Sequence, residues 1–341
     1  MPTIYLTTGD AIAVIAQSGD RWQATLHLQD HHTYCVAADP SNPALVYCGT
    51  FGEGLWVSRD AGSSWEKAGH GITYPEVMAV AVSRFGSGDL GTVWAGTEPS
   101  ALFRSDDGGL SWRECPQLRA LPSAPTWSFP PRPWTHHVRW IAPDAVEPER
   151  IFVGIELGGV MRSLDGGATW EDRKPGGQHD AHTLRTHPLA PNRVYEAAGG
   201  GYAESLDGGA TWLRLDEGMS HHYCWSLAVD SAGPDTVIVS ATRGPMQAHQ
   251  AANAEATLYR KDQAGQPWQE SRSGLPEPHG TRAYALASNE QELHFFYAAT
   301  HKGEIFRSED AGQSWQQLEV EWPGNYRPDP NAPFALVVVG A

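Results

Sequence analysis

Five short apolar stretches of this chain are entered through histidine. They read DHHTYCVAAD (His31, His32), WTHHVRWIAP (His136, His137), GQHDAHTLRTH (His179, His182), SHHYCWSLAVD (His221, His222) and EPHGTRAYALAS (His279). Imidazole gains or loses a proton near neutral pH and is a good ligand for transition metals. Aligned on Asp39, Ser83, Pro143, His187, Asp230 and Ser288, the stretches place His32, Glu76, His136, Asp180, Tyr223 and Thr281 seven residues back. Eight back stand His31, Pro75, Thr135, His179, His222 and Gly280. Neighbouring strand residues point to opposite sides, so one set is expected to face a common axis and the other the gaps between neighbouring elements.

Three chemistries fit these residues. In the first, His32, His136, His179 and His222 hold one divalent transition ion (Zn, Mn, Fe, Ni or Cu), which polarises a substrate or activates water. There is no HxH or HExxH motif, so this reading rests on convergence in space. In the second, without metal, His136, His222, Tyr223 and Glu76 move protons while Arg243 or Arg282 neutralises a substrate anion, with Arg139 close by. In the third, the histidines are the polar lining of a water-filled channel. Glu53, Glu98 and Glu156 recur after corresponding segments (GTFGEG, GTEPS, GIELGG) and offer an acid and base for glycoside hydrolysis, with Glu76 or Asp180 assisting; as single residues they read more readily as solvated loop positions. Trp127, Trp134, Tyr202, Trp225, Trp322 and Tyr326 offer a sugar-stacking rim.

The elements that must position these residues are marked by an octet. SLDGGATW occurs at Ser163 to Trp170 and again at Ser205 to Trp212, and SRDAGSSW, SDDGGLSW and SEDAGQSW follow the same grammar from Ser58, Ser105 and Ser308. Its Asp accepts backbone amide hydrogen bonds, its Gly supplies the positive φ of a tight turn, and its Trp plugs a core. Two worn copies end at Trp22 and Trp268. The terminal tryptophans are spaced by 43, 47, 58, 42, 56 and 47 residues, the period of a four-stranded propeller blade. The expected fold is all-β: one domain over residues 1–341, a seven-bladed β-propeller of four-stranded antiparallel blades. The N-terminus supplies three strands of its blade, and Pro333 to Val339 closes the ring as the fourth. Cys115 to Trp134, Gly244 to Ala256 and Glu321 to Pro333 break the period, and long loops on a rigid scaffold are where function concentrates.

The octet resembles the Asp-box (BNR) repeat over essentially the whole chain. The resemblance implies a structural motif on the turns between the outer strands of each blade, away from the ligand face. Twelve of the fifteen histidines then share the opposite face. Propellers with this repeat include sialidases, two-propeller xyloglucanases, sortilin-type receptors and the photosystem II assembly factor. This chain has no Arg-Ile-Pro tripeptide, one propeller rather than two, and four scattered cysteines. Some polysaccharide lyases on seven-bladed propellers also use His, Tyr and Arg, sometimes beside a metal.

The formal charge of −16 argues against nucleic acid and anionic membranes as partners. The opening residues lack the n- and h-regions of a signal peptide, and no stretch reaches membrane-spanning length. Cys35, Cys48, Cys115 and Cys224 read as reduced thiols, so a cytoplasmic location is expected. The functional expectation is a His-rich funnel that binds a small or oligomeric polar ligand, carbohydrate-like or anionic, as a hydrolase or lyase with or without a metal. The alternative is a non-catalytic platform for a protein partner.

Overall fold

The structure, a computed structural model, describes residues 1–19, 21–130 and 135–340. Seven sheets form a ring of blades, antiparallel throughout except that Val320–Glu321 adds a short parallel strand to the outer edge of blade 1. Blade 1 contains Thr3–Thr7, Ile12–Ser18 and Arg21–His27. Its innermost strand is Leu336–Val339, which pairs antiparallel with Thr3–Thr7. The ring therefore closes by joining the two ends of the chain within one blade. The closing strand begins later than Pro333, since proline has no amide to give to a ladder. Blades 2 to 7 begin at the axis with Thr33–Ala38, Glu76–Ser87, Val138–Pro143, Ala181–Thr186, Tyr223–Val229 and Tyr284–Asn289. Blade 4 has three full strands, and a two-residue bridge from Arg162 to Glu171 stands for the fourth.

The innermost strands are rich in apolar residues because they are covered on both faces by neighbouring blades, and all but the twelve-residue Glu76–Ser87 are short. Space for the next blade is made by glycine in three second strands, at Gly49, Gly96 and Gly154, over which Val77, Val138 and Ala181 pack. A Cβ at Gly96 would lie 2.3 Å from Val138 Cγ1. The four cysteines are free and buried. Among the described residues no helix is long and apolar enough to cross a membrane.

The octet makes one hydrogen-bond pattern five times. In the first copy the Ser58 hydroxyl donates to Asp60 Oδ1 (2.8 Å) and accepts from the Gly62 amide (2.7 Å). Asp60 in turn accepts from the Ser64 amide (2.8 Å) and hydroxyl (2.6 Å). The same contacts recur at Asp107, Asp165, Asp207 and Asp310. The terminal indoles of Trp112, Trp212 and Trp315 are buried; those of Trp65 and Trp170 are only half-buried, contrary to the expectation of a core plug in every copy. Ser64 first, then Ser58, pull the Asp60 carboxyl down to about 2, and Thr211 and Ser205 do the same for Asp207. A carboxyl depressed in the folded state adds stability that is complete above its unfolded value, about 3.9, and is lost as pH falls through the folded value. An acid titration followed by tryptophan fluorescence should therefore show stability draining between about pH 4 and 2. Asp207→Asn should flatten part of that dependence, and an unchanged profile would remove the octets from the acid response.

Candidate functional site

The innermost strands share a stop signal that fixes their alignment. In blades 2 and 4 to 7 the strand ends at, or one residue before, a polar side chain that accepts a hydrogen bond from the amide two residues on, and in blade 3 Ser83 does so at a register shift within the longer strand. The pairs are Asp39 with Ser41, Ser83 with Phe85, Asp144 with Val146, His187 with Leu189, Asp230 with Ala232 and Asn289 with Gln291. The equivalent residues are thus Asp144 and Asn289, one position beyond the Pro143 and Ser288 used for the sequence alignment. Seven residues back from these ends stand His32, Glu76, His137, Asp180, Tyr223 and Arg282. His137 takes the place given to His136, and Arg282 joins the ring.

A second regularity aims side chains at the axis. In five blades the inner strand carries one extra residue against its neighbour, a β-bulge, at Tyr34, Met78, Arg139, His182 and Trp225. A bulge re-aims the side chain it carries. Tyr34, Met78, Arg139 and Trp225 line a central cavity of about 900 Å³. Glu156, His249 and Arg282 reach the same cavity from loops above.

One wall of the cavity is a buried polar cluster contributed by blades 3 to 6. Glu156 Oε2 accepts from His137 Nε2 at 3.0 Å and lies 3.3 Å from Arg139 Nε. Glu98 Oε2 stands 3.6 Å from the other imidazole nitrogen of His137. His182 donates through Nδ1 to the Cys224 carbonyl at 2.7 Å. Its Nε2 has two neighbours at 3.4 Å, Asp180 Oδ1 and the Tyr223 hydroxyl. Trp225 is flanked by His182 (5.6 Å between ring centres) and His249 (5.5 Å), with the Arg139 guanidinium 5.1 Å from its ring centre.

These surroundings sort the ionisable groups. Burial opposes a charge on Glu156, yet the His137 hydrogen bond and the His137 and Arg139 charges outweigh it and hold the carboxyl well below the usual range. Burial likewise opposes imidazolium at His182, but Asp180 outweighs it and raises that pKa. Burial lowers His249 despite the Glu156 charge, favouring neutral imidazole. Burial, with the Asp180 and Glu156 charges, keeps the Tyr223 phenol protonated. Glu196 is fully buried in blade 5, and burial raises it to about 8, so it is a neutral carboxylic acid at pH 7.

Arg282 is a buried cation of a different kind. Two of its nitrogens reach the carbonyls of Asn331 (3.4 Å) and Ala332 (3.0 Å), its Nε has no hydrogen-bond partner, and burial lowers its pKa. Arg185 also lines the cavity, stacked 4.6 Å from the Trp140 ring centre, and burial lowers it to about 10. Among the described residues neither arginine forms an ion pair with a carboxylate.

The other residues singled out from the sequence are dispersed. His32 is exposed at the cavity mouth. His136 bonds Ser100 Oγ (2.8 Å) beneath Trp127 and does not line the cavity. His179 is exposed, and His222 is exposed beside Asp216 (2.9 Å). Arg243 is 66% exposed and paired with Glu255. Glu76 is half-buried and lies opposite Glu98 in the sheet. The four-histidine metal set is therefore not brought together. Tyr223 and Arg282 do reach the cavity or its wall. Glu53 pairs with His31 at 2.8 Å instead of facing the axis. Trp134 lies outside the described residues. Sequence reasoning passed over Arg185, His182 as a bulge residue, and His137 as the ring histidine; the polar stop after each strand was the signal for the last.

No protein-family model and no curated protein matches the chain. Solved structures match its fold. The Niastella koreensis GH74 enzyme is similar over 91% of this chain and 51% of its own, at 16% identity and a TM-score of 0.67. The GH74 xyloglucanase from Xanthomonas campestris is similar over 84% and 45%, at 18% identity and 0.62. YCF48 bound to D1 peptide is similar over 91% and 93%, at 18% identity and 0.60. The chain spans about half the length, or less, of the GH74 enzymes it matches. At these identities the likeness establishes the seven-bladed propeller.

Proposed function

We propose that the central cavity binds an anionic, carbohydrate-like ligand such as a uronate oligomer, and that the protein cleaves it by elimination. The observation that carries this reading is Arg282, a buried guanidinium that forms no carboxylate ion pair among the described residues, with only the more distant charge of Asp329 acting on it, and that faces the cavity of a chain with a formal charge of −16. A buried charge is costly unless it is paired, so the cavity is built for a ligand that supplies the missing anion. Arg139 and Arg185 line the same space, and Phe129, Trp140 and Trp225 give a sugar ring apolar faces to rest on. The volume, about 900 Å³, suits a short oligomer.

Elimination is favoured over two-carboxylate hydrolysis by the state of the lining acids. Among the described residues the carboxylates that line the cavity are Asp10, Glu156 and Asp329. Glu156 is held ionised, and Asp10 accepts hydrogen bonds from Tyr326 and Thr8. Glu156 is therefore not the raised carboxylic acid a glycosidase needs as proton donor. His249, neutral and on the cavity wall, is placed to act as base. On a uronate it takes the proton from the carbon bearing the carboxylate. The C–H electron pair becomes the new C=C bond, the neighbouring C–O bond breaks, and the departing oxygen takes its proton from water. The test is an ultraviolet assay for the conjugated product with uronate polymers, neutral glycans serving as controls. Expected is turnover of uronates only, reduced about 10²- to 10⁴-fold in His249→Ala. Turnover of neutral glycans alone, or none at all, would overturn the reading.

A second reading has its own support. The match with YCF48 covers nearly all of both chains, unlike the GH74 matches. A platform that binds an acidic peptide through Arg282 would give saturable peptide binding without turnover.

A further inference from the structure

Glu156, Asp180 and His182 converge from two adjacent blades, and one donor atom from each lies within 4.8 Å of the others. We propose that these three residues hold a divalent first-row metal ion, with Zn²⁺ and Mn²⁺ as the ions to test. Metal–ligand bonds of about 2.0–2.2 Å place neighbouring donors roughly 3 to 3.5 Å apart, and His182 Nε2 stands 3.4 Å from Asp180 Oδ1. The Cys224 carbonyl can only accept, so Nδ1 of His182 carries a proton and Nε2 is the nitrogen left to meet a metal ion. A ligating histidine is ordinarily fixed in this way through its other nitrogen.

The remaining contacts also suit an ion. The His182 side chain is fully buried, and the hydrogen-bonding neighbours of Nε2 among the described residues, Asp180 and the Tyr223 hydroxyl, stand no closer than 3.4 Å. Both cationic contacts of Glu156 fall on Oε2, so Oε1 has no hydrogen-bond or ion-pair partner among the described residues. Asp180 is set by Gly199, whose amide donates to the Asp180 carbonyl at 2.9 Å. A Cβ at Gly199 would come within 2.0 Å of Asp180 Oδ2, so glycine keeps the space that the carboxylate occupies. One imidazole with two carboxylates suits Zn²⁺ or Mn²⁺ and leaves positions for water on the side where Glu156 meets the cavity. The site does not depend on the ligand proposed for the cavity.

The experiment uses the full chain without a histidine tag, stripped with a chelator and titrated calorimetrically with ZnCl₂ and with MnCl₂. Expected is one ion per chain for at least one metal, with a rise in thermal midpoint that grows with free metal. Asp180→Asn and Gly199→Ala should each weaken binding about 100-fold or more while circular dichroism stays that of the parent, and His182→Gln should abolish it. His31→Ala, which breaks the surface pair with Glu53, should leave binding unchanged. Binding that survives Asp180→Asn and His182→Gln, or no heat and no thermal shift with either ion, overturns the proposal. Ion binding without uronate turnover would sink the proposed reaction and leave the site standing, and turnover by metal-free protein that binds neither ion would do the reverse.

Discussion

Glu204→Leu is expected to lower stability by about 3–5 kcal/mol, the usual cost of breaking a buried ion pair from one side. Glu204 is buried on the third strand of blade 5, where its two oxygens serve four donors. Arg193 binds it through Nε (2.7 Å) and a second nitrogen (3.1 Å), Lys261 from blade 6 donates at 3.1 Å, and the Tyr202 hydroxyl at 2.7 Å. With Glu204 gone, Arg193 keeps Asp235 at 2.6 Å, but Lys261, only 4% exposed, keeps no carboxylate. Lys261→Met added to Glu204→Leu should therefore recover part of the loss, because it removes the orphaned charge. The pH dependence has a definite sign. Burial opposes ionisation of Glu204, but Arg193 and Lys261 outweigh it and lower its pKa. Its contribution is complete above the unfolded carboxyl value, about 4.3, and is lost as pH falls through the lower folded value. Urea unfolding at pH 7 and at pH 4 checks both points: the gap between parent and Glu204→Leu should shrink in acid. Equal stability of the two at pH 7 would contradict the assignment.

Such a network lies beyond sequence periodicity. Arg193 and Glu204 stand 11 residues apart at neighbouring strands of blade 5, whereas Lys261, 57 residues from Glu204, joins them only because blade 6 packs on blade 5. What was legible is local. The Ser, Asp, Gly and Ser or Thr of each octet bond within five or six residues of one another, so their types and spacing already imply the turn and, repeated, the blade count. Ring closure followed from the count of strands at the two ends. The candidate site was half legible. Alignment with Pro143 as the end of the strand places His136 in the ring, whereas the strand of blade 4 stops at Asp144, whose carboxylate bonds the Val146 amide, and this shifts the position to His137. The bulges at Arg139, His182 and Trp225 add one residue each, and an added residue reverses which side chains face the axis. A single sequence carries no mark of such a bulge.

Arg282→Met is expected to separate function from stability in the opposite sense to Glu204→Leu. The folded chain buries this guanidinium with two backbone carbonyls as its partners, and burial lowers its pKa, so the charged form is disfavoured where it stands. Replacing such a group with an apolar side chain of similar length removes the desolvation cost and breaks no carboxylate pair, so denaturant stability should stay equal or rise. Affinity for the anionic ligand should move the other way. Truncating one partner of a buried, hydrogen-bonded charge pair costs about 2–5 kcal/mol, which corresponds to a loss of roughly 30-fold to several thousand-fold in affinity. Binding to the parent should weaken as salt rises, and that dependence should be shallower in Arg282→Met, since one of the charges producing it is absent. Calorimetric titration with an oligouronate at two ionic strengths, paired with urea unfolding of the same samples, reads both effects. A variant that loses stability along with affinity would make Arg282 a structural residue held by Asn331 and Ala332. One that keeps full affinity would move the anion to Arg139 and Arg185, further down the channel.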